Sequence, residues 1–194
     1  MNASPQIVLV AIDFSPDSNA ALAWAARYAD LSGASLVLLH VVHDPAGSPG
    51  FYRRTPKDNM QPMQEIAAQM MGNFLRAFRE EHPGHGSLDA AELQFIQGLP
   101  PSRIVEVAKL LEADMIVVGS RGITGLPHML LGSVAERVVE LAECPVIVVK
   151  SKEHEVSDKK TIKRLAKQQK KERKMLKRVL GLTPEPGSDR EADD

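Results

Sequence analysis

Four glycines fall within the fifteen residues from Gly119 to Ser133, GSRGITGLPHMLLGS. Without a Cβ in the way, backbone N–H groups in such a stretch can come close to an anion. An apolar run, Met115-Ile116-Val117-Val118, precedes the segment, and Val134, Val138 and Leu141 follow it at helical spacing. The segment therefore reads as a strand-to-helix connection at the carboxyl end of a buried parallel strand, where open α/β sheets bind ligands. The start of the next helix adds positive potential, and Arg121 adds a full charge. The chemistry these residues suit is the holding of nucleotide phosphates; the alternative is a flexible connection with no ligand.

Other chemistries find less support. There is no G-x-x-x-x-G-K-[ST], and Gly119, Gly122 and Gly125 give G-x-x-G-x-x-G rather than G-x-G-x-x-G. Phosphoryl transfer needs charge neutralisation and a base, yet besides Asp13 the segment offers no acid until Glu136. His40 and His43 stand three apart on one strand and so face opposite sides, which suits a satisfied strand-end histidine better than a metal pair. His128 in the glycine segment faces either phosphate or solvent. Cys144, the one cysteine, reads as a small buried residue rather than a redox thiol.

The chain of 194 residues is 43% hydrophobic, enough for one good core with an appendage. No window reaches the roughly 18 consecutive apolar residues of a membrane helix. The start, MNASPQIVLVAIDFS, has neither the basic region nor the cleavage site of a signal peptide. A single cysteine suits a reducing compartment, so a cytoplasmic location is expected. The net charge of −1 conceals three blocks: −5 over residues 1–150, +8 over 151–180 and −4 over 181–194. An acidic body thus carries a basic arm and an acidic tip.

The elements that would position the glycine segment alternate. Ile7 to Ile12 is a continuous apolar strand ending in Asp13. Ser15 reads as an N-cap with Pro16 at N1 and Asp17 favouring the helix dipole. That helix buries Leu22, Ala25, Ala26 and Ala29 and stops at Gly33; Leu36 to Val42 is the second strand. A long connection over 44–62, with four prolines, leaves the same rim as the glycine segment. Its Phe51-Tyr52-Arg53-Arg54 reads as a lid, a dimer contact or a solvated loop. Met63, Ile66, Ala67, Met70, Met71, Phe74, Leu75 and Phe78 form an amphipathic helix whose methionines read as core filler. Leu93 to Ile96 is a third strand, and Ile104, Val105, Ala108 and Leu111 mark the next helix. The fourth strand, a helix over 133–142 and a fifth strand, Val146 to Val149, complete the pattern. Such alternation implies a parallel sheet with helices on both faces.

The spacing Gly119-x2-Gly122-x9-Gly132-Ser133 resembles the ATP-binding signature of the universal stress protein (UspA-like) family. The likeness extends over residues 6–150 through AIDFS, LVLLHVV, ADMIVVGSRG, GSVAERVV and CPVIVVK, in that order. It implies a single three-layer, Rossmann-like α/β domain with a five-stranded parallel sheet of order 3-2-1-4-5. It implies that Asp13 accepts from ribose hydroxyls and that Val41 meets the adenine edge with its backbone. Gly119, Arg121 and Gly122 would lie under the phosphates, and Gly132, Ser133 and Val134 would present N–H groups at the helix start. Two simpler roles stay open: Asp13 as a cap on the turn before Ser15, and Ser133 as an N-cap. The implied cofactor is ATP, with Mg2+ carried on its phosphates, and the implied assembly is a homodimer through the Val146–Val149 edge strand. A nucleotide-dependent regulatory or stress-response protein is expected, with slow ATP hydrolysis or autokinase activity as the alternative.

Beyond the resemblance, residues 151–180 read as a basic helical extension, with Ile162, Leu165, Ala166, Leu176, Val179 and Leu180 in a stripe broken by Gln169 and Arg173. Nucleic acid, an anionic surface, a protein partner, the acidic body or plain solvent would suit it. Residues 181–194 have the composition of a disordered acidic tail.

Overall fold

The three inner strands are mostly runs of Val, Ile and Leu because their interiors are covered from both sides, whereas the two edge strands are only partly buried. The computed structural model describes residues 6–43, 63–123 and 131–151. Within them lie β1 (Ile7–Ala11), α1 (Pro16–Ser32), β2 (Ser35–Val42), α2 (Met63–Glu81), β3 (Glu92–Gln97), α3 (Pro100–Leu110), β4 (Met115–Gly119), α4 (Ser133–Leu141) and β5 (Val146–Val149). The connection at 44–62, the Phe51–Arg54 cluster, Gly125, His128 and the stretch from 152 to 194 lie outside the described residues.

The five strands are parallel and ordered β3-β2-β1-β4-β5. Alternation along β1 divides the core into two layers. Val8 and Val10 face α1 and α2, where Leu22, Ala25, Met71 and Phe78 cover them. Leu9 faces the other way, with Ile104 and Ala108 of α3 and Ala135 and Val138 of α4. Helices on both faces of a parallel sheet make the expected three layers.

Local chemistry explains where α1 begins and ends. Ser15 caps it in extended conformation, its Oγ accepting from Ser18 N at 3.1 Å, with Pro16 in the first turn. Gly33 ends it at φ 74°, donating its N–H to Ala29 O, a left-handed position that glycine takes without steric cost.

The fourth helix differs from expectation in its buried face. Ala135 and Val138 are buried, whereas Val134 and Leu141 are 37% and 41% exposed. The stripe that meets the sheet is Leu131, Ala135, Val138 and Ala142, spaced four, three and four. Its two alanines carry little apolar signal, whereas the larger Val134 and Leu141 stand at equally regular spacing on an exposed face.

Candidate functional site

β1 connects through α1 to β2 on one side of the sheet, whereas β3 connects through α3 to β4 on the other. β1 and β4 are neighbours, so the connections after them diverge and leave a crevice at their carboxyl ends. Asp13 stands at one lip and the glycine segment at the other.

The lip after β1 is tightly turned. Ile12 N makes a last sheet bond to Leu39 O at 2.8 Å. Phe14 then takes φ 65°, a left-handed conformation uncommon for a bulky residue. Its ring packs at 4.5 Å from the His40 ring and 5.7 Å from Phe74, contacts that offset the strain. The turn directs the Asp13 side chain back over Ser15, whose N–H donates to Asp13 Oδ1 at 3.0 Å. Capping the turn is thus one task that Asp13 performs. Its other oxygen, Oδ2, faces Gly122: a Cβ built on that glycine would lie 2.8 Å from it.

Gly119, at the end of β4, is a glycine for a different reason. A Cβ there would lie 2.7 Å from the carbonyl carbon of Asp17 and 2.9 Å from Ser18 N, so the first turn of α1 rests on it. Ser120 follows as a node. Its N–H donates to Val149 O and its carbonyl accepts from Gly132 N, each at 2.7 Å. The second bond closes the glycine segment at its base, and a Cβ on Gly132 would stand 3.1 Å from that same carbonyl. Arg121 is 4% exposed rather than open to solvent. Its carbonyl accepts from Ser15 Oγ at 3.2 Å.

At the start of α4, Gly132 is the N-cap, with φ −77° and ψ 153°, and no side chain caps the helix. Ser133 is the first helical residue and not the cap that its type suggested. Ser133 and Val134 are exposed there. The first turn of any helix leaves N–H groups without intrahelical partners, so this end presents donors and positive potential to the crevice.

Val41 lies on β2 opposite Ile96 of β3. In a parallel strand, alternate residues direct both backbone groups to the same neighbour. Leu39 O accepts from Ile12 N, just beyond β1, and Val42 O accepts from Gly98 N after β3. Val41 therefore points its N–H and C=O toward the β1 side, past the level at which β1 pairing ends at Ala11. Its side chain faces the α3 and α4 layer.

His40 is the expected satisfied strand-end histidine. It is 3% exposed, and its Nδ1 donates to Ile12 O at 2.7 Å. Burial pushes its pKa below the ordinary 6.5, while the Ile12 carbonyl and the charge of Asp13 pull the other way. Cys144 is half-buried, and burial pushes its thiol upward, away from the thiolate that redox chemistry would need. Among the described residues, no group of three His, Cys, Asp or Glu is placed to hold a metal ion, and no helix is long and apolar enough to cross a membrane.

The residue missed from the sequence is Asp17. It is wholly buried and accepts from Ser120 Oγ at 2.6 Å, from Arg121 N at 3.0 Å and from Ser151 N at 2.9 Å. One signal was present: Asp17 stands four residues before Ala21 and eight before Ala25, on the buried stripe of α1.

Comparison with known proteins agrees with this architecture. A universal stress protein of Methanocaldococcus jannaschii is 52% identical over 62 residues, 32% of this chain and 36% of its own length. YxiE of Bacillus subtilis, also a universal stress protein, is 33% identical over 146 residues, 74% of this chain and 97% of the relative. The structure of UspA from Lactobacillus plantarum superimposes with a TM-score of 0.56 at 29% identity, covering 76% of this chain and 99% of that one. Two further universal stress protein structures, one in complex with cAMP and one from Archaeoglobus fulgidus in complex with dAMP, each give a TM-score of 0.50 at 26% identity over 76% of this chain and 98% of theirs. Residues 5–150 match the Universal stress protein family, and the structure of a solved member superimposes on this one: the chain belongs to the universal stress protein family.

Proposed function

We propose that this chain binds ATP in the crevice between β1 and β4 and acts as a nucleotide-dependent regulatory protein. The observation that carries the reading is the meeting of Asp13 Oδ2 with Gly122 beside a helix start that no side chain caps. A carboxylate suits ribose hydroxyls, and the N–H groups of Ser133 and Val134 suit phosphate oxygens, whereas the Gly132 N–H is already bonded to Ser120 O and so shapes the helix start rather than meeting the phosphate. Val41 offers the adenine edge one donor and one acceptor. Gly122 leaves room beside Asp13, Gly119 lets α1 approach, and Arg121 fixes the backbone between them. Mg2+ would arrive on the phosphates. The adenine nucleotides named for two neighbouring structures support the same ligand class.

The reading extends to organisation. Residues 1–150 form the nucleotide domain, 151–180 a basic extension for a partner and 181–194 an acidic tail. β5 is an edge strand, which supports pairing of two copies through Val146–Val149. A cytoplasmic location fits the single cysteine.

Isothermal titration of the full chain with ATP and Mg2+ tests the reading. Saturable binding that Gly132→Val abolishes supports it, and no binding at millimolar ATP removes it. Radiolabelled ATP turnover well above background, lost in Asp13→Ala, would replace the binder with an enzyme.

A further inference from the structure

We propose that Asp17 is a positioning residue that couples the chain leaving β5 to the glycine segment, so that the backbone bond of Ser151 and nucleotide affinity depend on each other. The proposal rests on the nucleotide reading above and concerns how that site is regulated.

The coupling runs through one rigid, planar group. Oδ1 of Asp17 accepts from Ser151 N, just beyond β5. Oδ2 accepts from Ser120 Oγ and Arg121 N, at the start of the glycine segment. The two oxygens cannot move independently, so displacement of Ser151 turns the carboxylate that holds Ser120 and Arg121. The residue has no exposed surface, and water therefore cannot replace a lost donor without rearrangement.

What Asp17 holds is the base of the proposed phosphate site. Ser120 O closes the segment onto Gly132 N, the cap of α4. Arg121 is held at its N–H by Asp17 and at its carbonyl by Ser15. The next residue, Gly122, abuts Asp13. A rotation of the Asp17 carboxylate would thus reach the ribose side through Gly122 and the phosphate side through Gly132. A second tie strengthens the link, since Ser120 N donates to Val149 O of β5 itself. The described chain ends at Ser151, and the following stretch to residue 180 carries half of the lysines and arginines of the sequence.

The test uses the full chain, ATP with Mg2+, calorimetry and amide hydrogen exchange. Ser151→Pro removes the N–H donor and is expected to weaken ATP binding about 5-fold or more, the usual scale of a coupling between sites. Ser151→Ala keeps the N–H and is expected to bind as wild type. Asp17→Asn places an amide NH2 where a donor now points; it is expected to weaken ATP binding and to make Ser151→Pro add little further loss. Coupling is reciprocal, so saturating ATP is expected to slow exchange of the Ser151 amide in the wild type and not in Asp17→Asn. Wild-type protein that fails to bind ATP overturns the nucleotide reading and this proposal together. Wild-type protein that binds ATP while Ser151→Pro binds equally well overturns the proposal alone. Should Ser151→Pro fail to fold, the wild-type exchange experiment decides, and unchanged protection of the Ser151 amide at saturating ATP overturns the coupling.

Discussion

Ser120 Oγ donates a 2.6 Å hydrogen bond to Asp17 Oδ2 across 103 residues of sequence. The bond lies in the interior, where the carboxylate has no water to turn to. Ser120→Ala removes that donor and leaves one carboxylate site poorly satisfied. Losses of this kind cost about 1–3 kcal/mol. The expected result is a fall in Tm of roughly 2–12 °C by differential scanning calorimetry. A Tm equal to that of the wild type would show that the bond contributes nothing.

Gly119 and Gly122 are three residues apart and are expected to fail in different ways. Neither has a positive φ, so the argument is one of space. Gly119→Ala sets a methyl 2.7 to 2.9 Å from atoms in the first turn of α1, two of which belong to the backbone and cannot swing aside. Overpacking of that kind costs about 1–3 kcal/mol, read as a lower urea midpoint. Gly122→Ala meets the end of the Asp13 side chain, which can rotate away. Stability is then expected to stay within about 0.5 kcal/mol of wild type. ATP affinity is expected to drop roughly 10-fold through loss of a charge-assisted bond to ribose. Equal destabilisation by both substitutions would contradict this division.

Much of the frame is legible because its signals are local. Ser15, Pro16 and Gly33 bound α1 by their own backbone chemistry, and the apolar runs mark the strands. The crevice between Asp13 and the glycine segment follows once β1 and β4 are neighbours. Asp17 is different: its donors come from residues 103 to 134 positions away. An acid in a first helical turn has the same local signature whether it ends in solvent or in the core. Direction was equally hidden at Val41, because which neighbour a strand residue addresses depends on register. At α4, alanines occupied half of the true stripe and mimicked polar positions.

Asp30 ties the end of α1 to the short turn at Gly86–Leu88. Its carboxylate accepts from His85 Nδ1 at 2.6 Å and from Ser87 N at 2.9 Å. The His85 bond, then the Ser87 N–H, hold its pKa below the ordinary 3.8. A carboxyl group with a depressed folded value gives up its proton more readily in the native chain than in the unfolded one. Its stabilisation is therefore present above pH 3.8 and lost as pH falls through the lower folded value. Asp30→Asn is expected to lower Tm at neutral pH, with the difference from wild type shrinking below pH 3.8. A difference that stays constant down to the lowest accessible pH would assign the effect to packing instead.

His40 gives the opposite end of the accessible pH range. Its ring is buried beside Phe14 and Phe95, and its Nδ1–H is committed to Ile12 O, one residue before Asp13. Burial depresses its pKa below 6.5, so the native state resists a proton that the unfolded chain accepts. Where the unfolded state binds more protons, stability rises with pH. The contribution is complete above pH 6.5, declines as pH falls from there toward the folded value, and changes no further below it. The slope for one group is at most about 1.4 kcal/mol per pH unit. His40→Gln keeps an N–H donor for Ile12 and removes the titration. Urea midpoints measured from pH 7.5 downward, at intervals of roughly half a unit, are expected to fall more steeply for wild type than for His40→Gln once pH drops below 6.5. Parallel profiles would show that the folded ring takes up its proton as readily as a free imidazole.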